Sequence, residues 1–178
     1  VLTADPEESP LLGEAPEDYV RRVALDKVSA GAALLDSWRR LPILGADTAV
    51  VIDGDILGKP SGAEDAAAML RRLSGRTHRV LSAVAVSGTG RRTALNVSEV
   101  SFRTIDEREI RAYWRTGEPA DKAGGYAIQG LGALFVRELR GSYTGVVGLP
   151  LYETSLLLAA EGVRILEGRG PCGDRDRV

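Results

Sequence analysis

The chain has 178 residues, 44% of them hydrophobic and 27% charged, with 21 glycines and a formal net charge of -2. That length and balance fit one soluble domain with a real core and exclude a disordered or collagen-like chain. A nearly neutral chain has no global basic field to follow a nucleic acid backbone. The sequence also lacks an apolar run of membrane-spanning length and a basic-then-hydrophobic leader, so no nucleic acid, no membrane and a cytoplasmic location are expected.

Val1 opens VLTADPEESPLLGEAP, a proline- and acid-rich stretch that reads as a strand end and a loop. With no initiator methionine, a preceding piece is expected to be missing. Pro16, followed by Glu17 and Asp18, signals a helix over about residues 16–38, with Tyr19, Val20, Val23, Ala24, Val28, Leu34, Leu35 and Trp38 at helical spacing. Lys27 lies on or beside that apolar stripe and either snorkels or reaches into a site.

Pro42 leads into LGADTAVVIDGDILGKP, residues 44–60. The run from Asp47 to Ile52 fits a strand buried on both faces, and Asp53-Gly54 is a strong hairpin signal that returns Ile56 and Leu57 as a short partner. Asp47 and Lys59 then emerge near each other. Ser61 is expected to cap a second helix that ends at Gly75. Two long strands follow, Thr77 to Val86 and Thr93 to Phe102, the latter alternating through Leu95, Val97 and Val100. Asp106 caps a helix through Trp114.

The segment GEPADKAGGYAIQGLGA is too irregular for a helix and too apolar for a linker, which implies backbone wrapped closely around something. A strand over Ala133 to Leu139, a turn over Gly141 to Thr144, a helix over Leu149 to Ala160 begun by Pro150, and an edge strand over Val163 to Leu166 complete the elements. Residues from Glu167, including the single cysteine Cys172, lack apolar anchors and are expected to form a disordered tail. The reading is an α/β domain over residues 1–166, a twisted mixed sheet flanked by helices.

GADTAVVIDGDILGKP, LRRLSGRTHRVLSAVAV, the run from Gly117 to Ala133 and VVGLP, in that order, resemble the Maf family of septum-formation proteins, with a Maf/inosine triphosphatase-like fold. The resemblance implies a nucleoside triphosphate pyrophosphatase assisted by a divalent metal, Mg²⁺ or Mn²⁺, and a homodimer. It implies that Asp47 is catalytic, with Lys59, Lys27 and Glu8 at matching family positions. Thr48 and Gln129 match the branch that resembles dTTP and UTP pyrophosphatases. The branch resembling 7-methyl-GTP pyrophosphatases favours acids there. Family members also open with a strand and an SxSPRR-type loop that supplies a phosphate-binding arginine, to which nothing here corresponds.

On the residues alone, Glu8 and Asp47 share an oxygen-only preference with Mg²⁺, and Lys27 and Lys59 are compact cations for phosphate. The plainer readings are a turn cap for Asp47, solvated surface for Lys59 and Glu8, and a loop-bracing amide for Gln129. Asp121 and Lys122 read as a local surface ion pair, and His78 as structural. Two rival functions stand beside the pyrimidine pyrophosphatase. One is a nucleotide-binding regulator of septum formation that has lost catalysis; the other is a purine pyrophosphatase acting on ITP or XTP.

Overall fold

The computed structural model describes residues 8–34 and 41–166. Helix α1 spans Pro16–Ala33, and β1 (Ile43–Ile52) turns through a tight hairpin into β2 (Asp55–Leu57). Both hairpin residues have positive φ, 57° at Asp53 and 87° at Gly54, as the expected two-residue turn requires. Helix α2 (Ala63–Leu73) follows, then β3 (Thr77–Ser87), β4 (Arg91–Phe102) and α3 (Glu107–Arg115). Three short 3₁₀ turns carry the glycine-dense segment to β5 (Val136–Arg140), and α4 (Tyr143–Val147) and α5 (Leu151–Ala160) end the described elements.

The sheet order is β2-β1-β3-β4-β5. The α/β class with a helix-flanked sheet holds, but the sheet expected to be mixed is antiparallel at every described pairing. Both β2 and β3 run antiparallel to β1, so they are parallel to each other. β1 lies between them and splits what would otherwise be a parallel β-α-β unit.

Alternation along β1 and β3 builds a core on each face. Ala49, Val51, Leu81, Ala83 and Ala85 pack on the α1 residues Tyr19, Val20, Val23, Ala24 and Val28. Val50, Ile52, Val80, Val100 and Phe102 pack on α2, α3 and the glycine-dense segment. α1 seats closely because of Gly45: a Cβ there would meet the carbonyl oxygen of Ala24 at 2.7 Å and the Cβ of Lys27 at 3.1 Å. That contact places Lys27 directly over β1.

Several local expectations change. Ser61 does not cap α2; the N-cap is Gly62, and Asp65 instead accepts hydrogen bonds from the backbone and hydroxyl of Ser61. Strand β5 begins at Val136, because residues 131–135 coil into a 3₁₀ turn. Residues 141–144 enter α4, capped by Ser142, whose hydroxyl accepts from the Gly145 N–H. Residues 163–166 form no strand. Val97 is exposed, since the face of β4 it occupies extends beyond the cover of α1. The capping box at Asp106 and Glu109 forms as the sequence predicts. Trp38, Cys172, the expected last turn of the first helix and the tail from residue 167 lie outside the described residues.

His78 is structural, as expected. It lies 2% exposed between Phe102 and Tyr126, and its Nε2 shares a 2.8 Å hydrogen bond with the Tyr126 hydroxyl. Burial pushes its pKa from 6.5 down to about 4. The folded state therefore keeps His78 neutral while the unfolded chain takes up a proton, so stability present above pH 6.5 is lost as pH falls toward 4. The loss amounts to about 3 kcal/mol. Denaturant titrations between pH 7 and 4 are expected to show this slope in the wild type and not in His78→Gln, whatever the variant's baseline stability.

Candidate active site

β2 pairs only with the last three residues of β1, Val50, Val51 and Ile52. The preceding part of β1 is left with an edge that β2 does not cover, so side chains from both sheet faces can reach one space. A cavity of about 210 Å³ opens there, and Glu8, Lys27, Asp47, Thr48, Lys59 and Gln129 all line it. The structure thus collects every site residue expected from the sequence into one place, from a loop, a helix, a strand, a hairpin and the glycine-dense segment.

The charged groups are interlocked. Lys27 Nζ donates to Asp47 Oδ1 at 2.9 Å and pairs with Glu8 Oε1 at 2.7 Å, while Lys59 Nζ lies 3.7 Å from Glu8 Oε2. Asp47 and Lys59 are therefore not direct partners; Glu8 and Lys27 stand between them. Asp47 is nearly enclosed, with a side chain 7% exposed, whereas Lys59 is 63% exposed. The plain reading of Asp47 as a turn cap does not hold, because the residue sits inside β1 and pairs with a helix lysine.

Burial pushes the Asp47 carboxyl above its ordinary 3.8, against the pull of Lys27, with the nearby Glu8 charge adding to the rise. Burial would lower Lys27, but the hydrogen bonds it donates to two carboxylates outweigh it and hold the ammonium above its ordinary 10.5. Glu8 is also pushed up by burial, yet the two lysines overcome this and hold it below 4.5. The directions agree once partners and burial are counted: Lys27 has two carboxylates and Glu8 two lysines, whereas the more deeply buried Asp47 has one lysine, a weak backbone contribution from Thr48 and a repelling acid.

Asp47 Oδ2 is buried without a hydrogen-bond partner among the described residues. An unsatisfied, buried carboxylate oxygen beside a cavity is costly unless something arrives to use it. A hard cation or a water proton suits it. No cluster of three or more acidic, histidine or cysteine ligands occurs among the described residues. Two carboxylates still fit Mg²⁺, which keeps several waters and completes its shell with substrate phosphate.

Residues that the sequence did not assign to the site complete the walls. Asp121 and Lys122 do form the expected local pair, at 2.7 Å, but they form it on the cavity rim, where Lys122 is a third lysine. Gly124 brings them there: it has φ +68°, and a Cβ on it would meet the Val50 side chain at 2.9 Å. The density of glycines was the available signal. Val146 and Val147 of α4 also line the cavity; they open the VVGLP motif, but the sequence assigned them no role in the site.

Gln129 depends on a brace. Glu118 accepts from the Leu131 and Gly132 N–H groups and from the Tyr113 hydroxyl, which in turn accepts from the Ala127 N–H. This fastens the loop on both sides of Gln129, which lines the cavity.

The site is an enclosed acid with an unpartnered oxygen, set among three lysines and two further acids, a class of cavity whose cations suit an anionic ligand. The family model for Maf-like proteins matches residues 1–161, and the chain belongs to the Maf family. Similar proteins include one named dTTP/UTP pyrophosphatase from Methylococcus capsulatus, 57% identical over 175 residues that cover 96% of this chain and 86% of the relative. Another of that name, from Saccharophagus degradans, is 54% identical over 173 residues, covering 96% and 82%. A third, from Aromatoleum aromaticum, is 56% identical over 163 residues, covering 89% and 79%.

The raised Asp47 pKa carries a stability consequence. Between 3.8 and the raised folded-state value, the folded state holds more protons than the unfolded one, so wild-type stability falls as pH rises through that window. Asp47→Asn lacks this cost. Its stability relative to wild type is expected to grow as pH rises above 3.8 and then level off, as read by denaturant unfolding of both proteins across pH.

Proposed function

We propose that this protein hydrolyses dTTP, UTP or related pyrimidine nucleoside triphosphates to the monophosphate and pyrophosphate. The carrying observation is the buried, unpartnered Oδ2 of Asp47, a residue that lines the cavity together with three lysines. The names of the similar proteins support the same reading.

Lys59 and Lys122 offset polyphosphate charge at the rim, and Lys27 fixes Asp47 through Oδ1 so that Oδ2 keeps one orientation. With Oδ1 taken by Lys27, Oδ2 is the oxygen left to orient the attacking water and to meet a cation. Glu8 and Asp47 would hold a divalent metal, Mg²⁺ in preference to Mn²⁺, which when bound polarises phosphoryl oxygens and neutralises their charge. Thr48 and Gln129 face the base. The proposed assembly is a homodimer.

Pyrophosphate release, measured over UTP, dTTP, CTP, GTP, ITP and XTP with Mg²⁺ or with a chelator, tests the reading. UTP and dTTP are expected to lead the panel, chelation to stop turnover, and Asp47→Asn to lower kcat by about a hundredfold or more. Full activity in that variant would remove Asp47 from the chemistry, and preference for ITP or XTP would move the substrate to the purines.

A further inference from the structure

Thr48 owes its chemical character to a residue outside the cavity. Ser82 stands directly opposite it in the β1–β3 register, is 1% exposed, and makes a 2.8 Å contact between its Oγ and Thr48 Oγ1. The same Ser82 Oγ lies 2.6 Å from the carbonyl oxygen of Gly145 in α4. A carbonyl only accepts, so the single Ser82 hydroxyl hydrogen is spent on Gly145. Ser82 can then meet Thr48 only as an acceptor, and the Thr48 hydrogen points inward to it. Among the described residues, the one other hydrogen-bond contact of that hydroxyl, the Gly148 carbonyl at 3.4 Å, also takes a hydrogen from Thr48 and gives none.

Gly145 cannot easily swing away and release Ser82. Its N–H donates to the Ser142 hydroxyl at 3.0 Å, and a Cβ on it would meet the Asn96 side-chain oxygen at 2.8 Å. Asn96 is itself the cross-strand neighbour of Ser82 and is held by Glu153 of α5 at 2.7 Å. A row of polar side chains across β1, β3 and β4 therefore clamps α4 to the sheet and sets the direction of each hydrogen.

We propose that Ser82 is a specificity-positioning residue: by consuming the Thr48 hydrogen it makes Thr48 a hydrogen-bond acceptor toward the cavity, selecting bases that offer a ring N–H. This deepens the pyrimidine nucleotide reading and rests on it. Uracil and thymine carry an N3–H between two carbonyls. Cytosine has a lone pair at N3, so the same pose would set two acceptors against each other, and a buried mismatch of that kind discriminates strongly. Without Ser82, the Thr48 hydroxyl keeps only its long contact to Gly148 and becomes free to donate.

The test is the affinity of UMP and CMP, measured by calorimetry on wild type, Ser82→Ala and Thr48→Val, with pyrophosphate release from UTP followed separately. Monophosphate binding needs no turnover, so it reads base choice even where hydrolysis fails. Wild type is expected to prefer UMP, and the preference to fall at least about tenfold in Ser82→Ala, while that variant still melts cooperatively. An unchanged ratio in folded Ser82→Ala, or no UMP preference in wild type, overturns the proposal. Should Ser82→Ala not fold, Thr48→Val decides: a lost preference supports the proposal and a retained one overturns it. Absent pyrophosphate release with intact UMP preference would instead count against the hydrolytic reading alone.

Discussion

The contact between Lys27 and Asp47 is the constraint on which the rest of the site depends. It joins a helix to a strand inside the protein and takes up one oxygen of an acid that has little access to water. A buried pair of this kind is poor evidence of stability, because desolvation consumes much of the Coulombic gain. Its value is orientation. With Oδ1 held by Lys27, Asp47 cannot rotate freely, and Oδ2 stays buried and unsatisfied among the described residues. Gly45 permits the arrangement, since any side chain there would push α1 off β1 and draw Lys27 away.

Around that contact the charges form a relay: Lys59 beside Glu8, Glu8 beside Lys27, Lys27 beside Asp47. Two acids balance two lysines, so the cluster is close to neutral and tolerates partial burial. Lys122 adds a further cation at the rim, itself paired with Asp121. A polyphosphate entering with its own cation would replace some of these internal pairs by external ones without leaving a bare charge behind. Polar positioning on the opposite sheet face serves a different end. There Ser82 and Gly145 involve no net charge, and they govern which way hydrogens point.

Much of the fold was legible because local chemistry and tertiary structure agree. Pro16 with two following acids, the Asp53-Gly54 turn and the Asp106 capping box act over a few residues and form as read. Where the reading failed, a longer-range partner intervened. Ser61 lost the capping role because Asp65 captured it, and residues 131–135 coil because Glu118 holds their N–H groups. The sheet could not be assigned as antiparallel because nothing local to β3 reveals that it pairs with β1 instead of β2.

The sequence by itself determined the residue types of the site, the α/β class and the family, since motif order and hydrophobic period are properties of the chain alone. Only the tertiary structure decided that Lys27 is the direct partner of Asp47, that Lys122 reaches the cavity rim, and that Ser82 stands behind Thr48. The first and last of those facts depend on packing between segments whose contacting residues lie 20 and 34 positions apart. Hydrogen-bond direction, desolvation and an unsatisfied oxygen exist only once those segments have closed on one another.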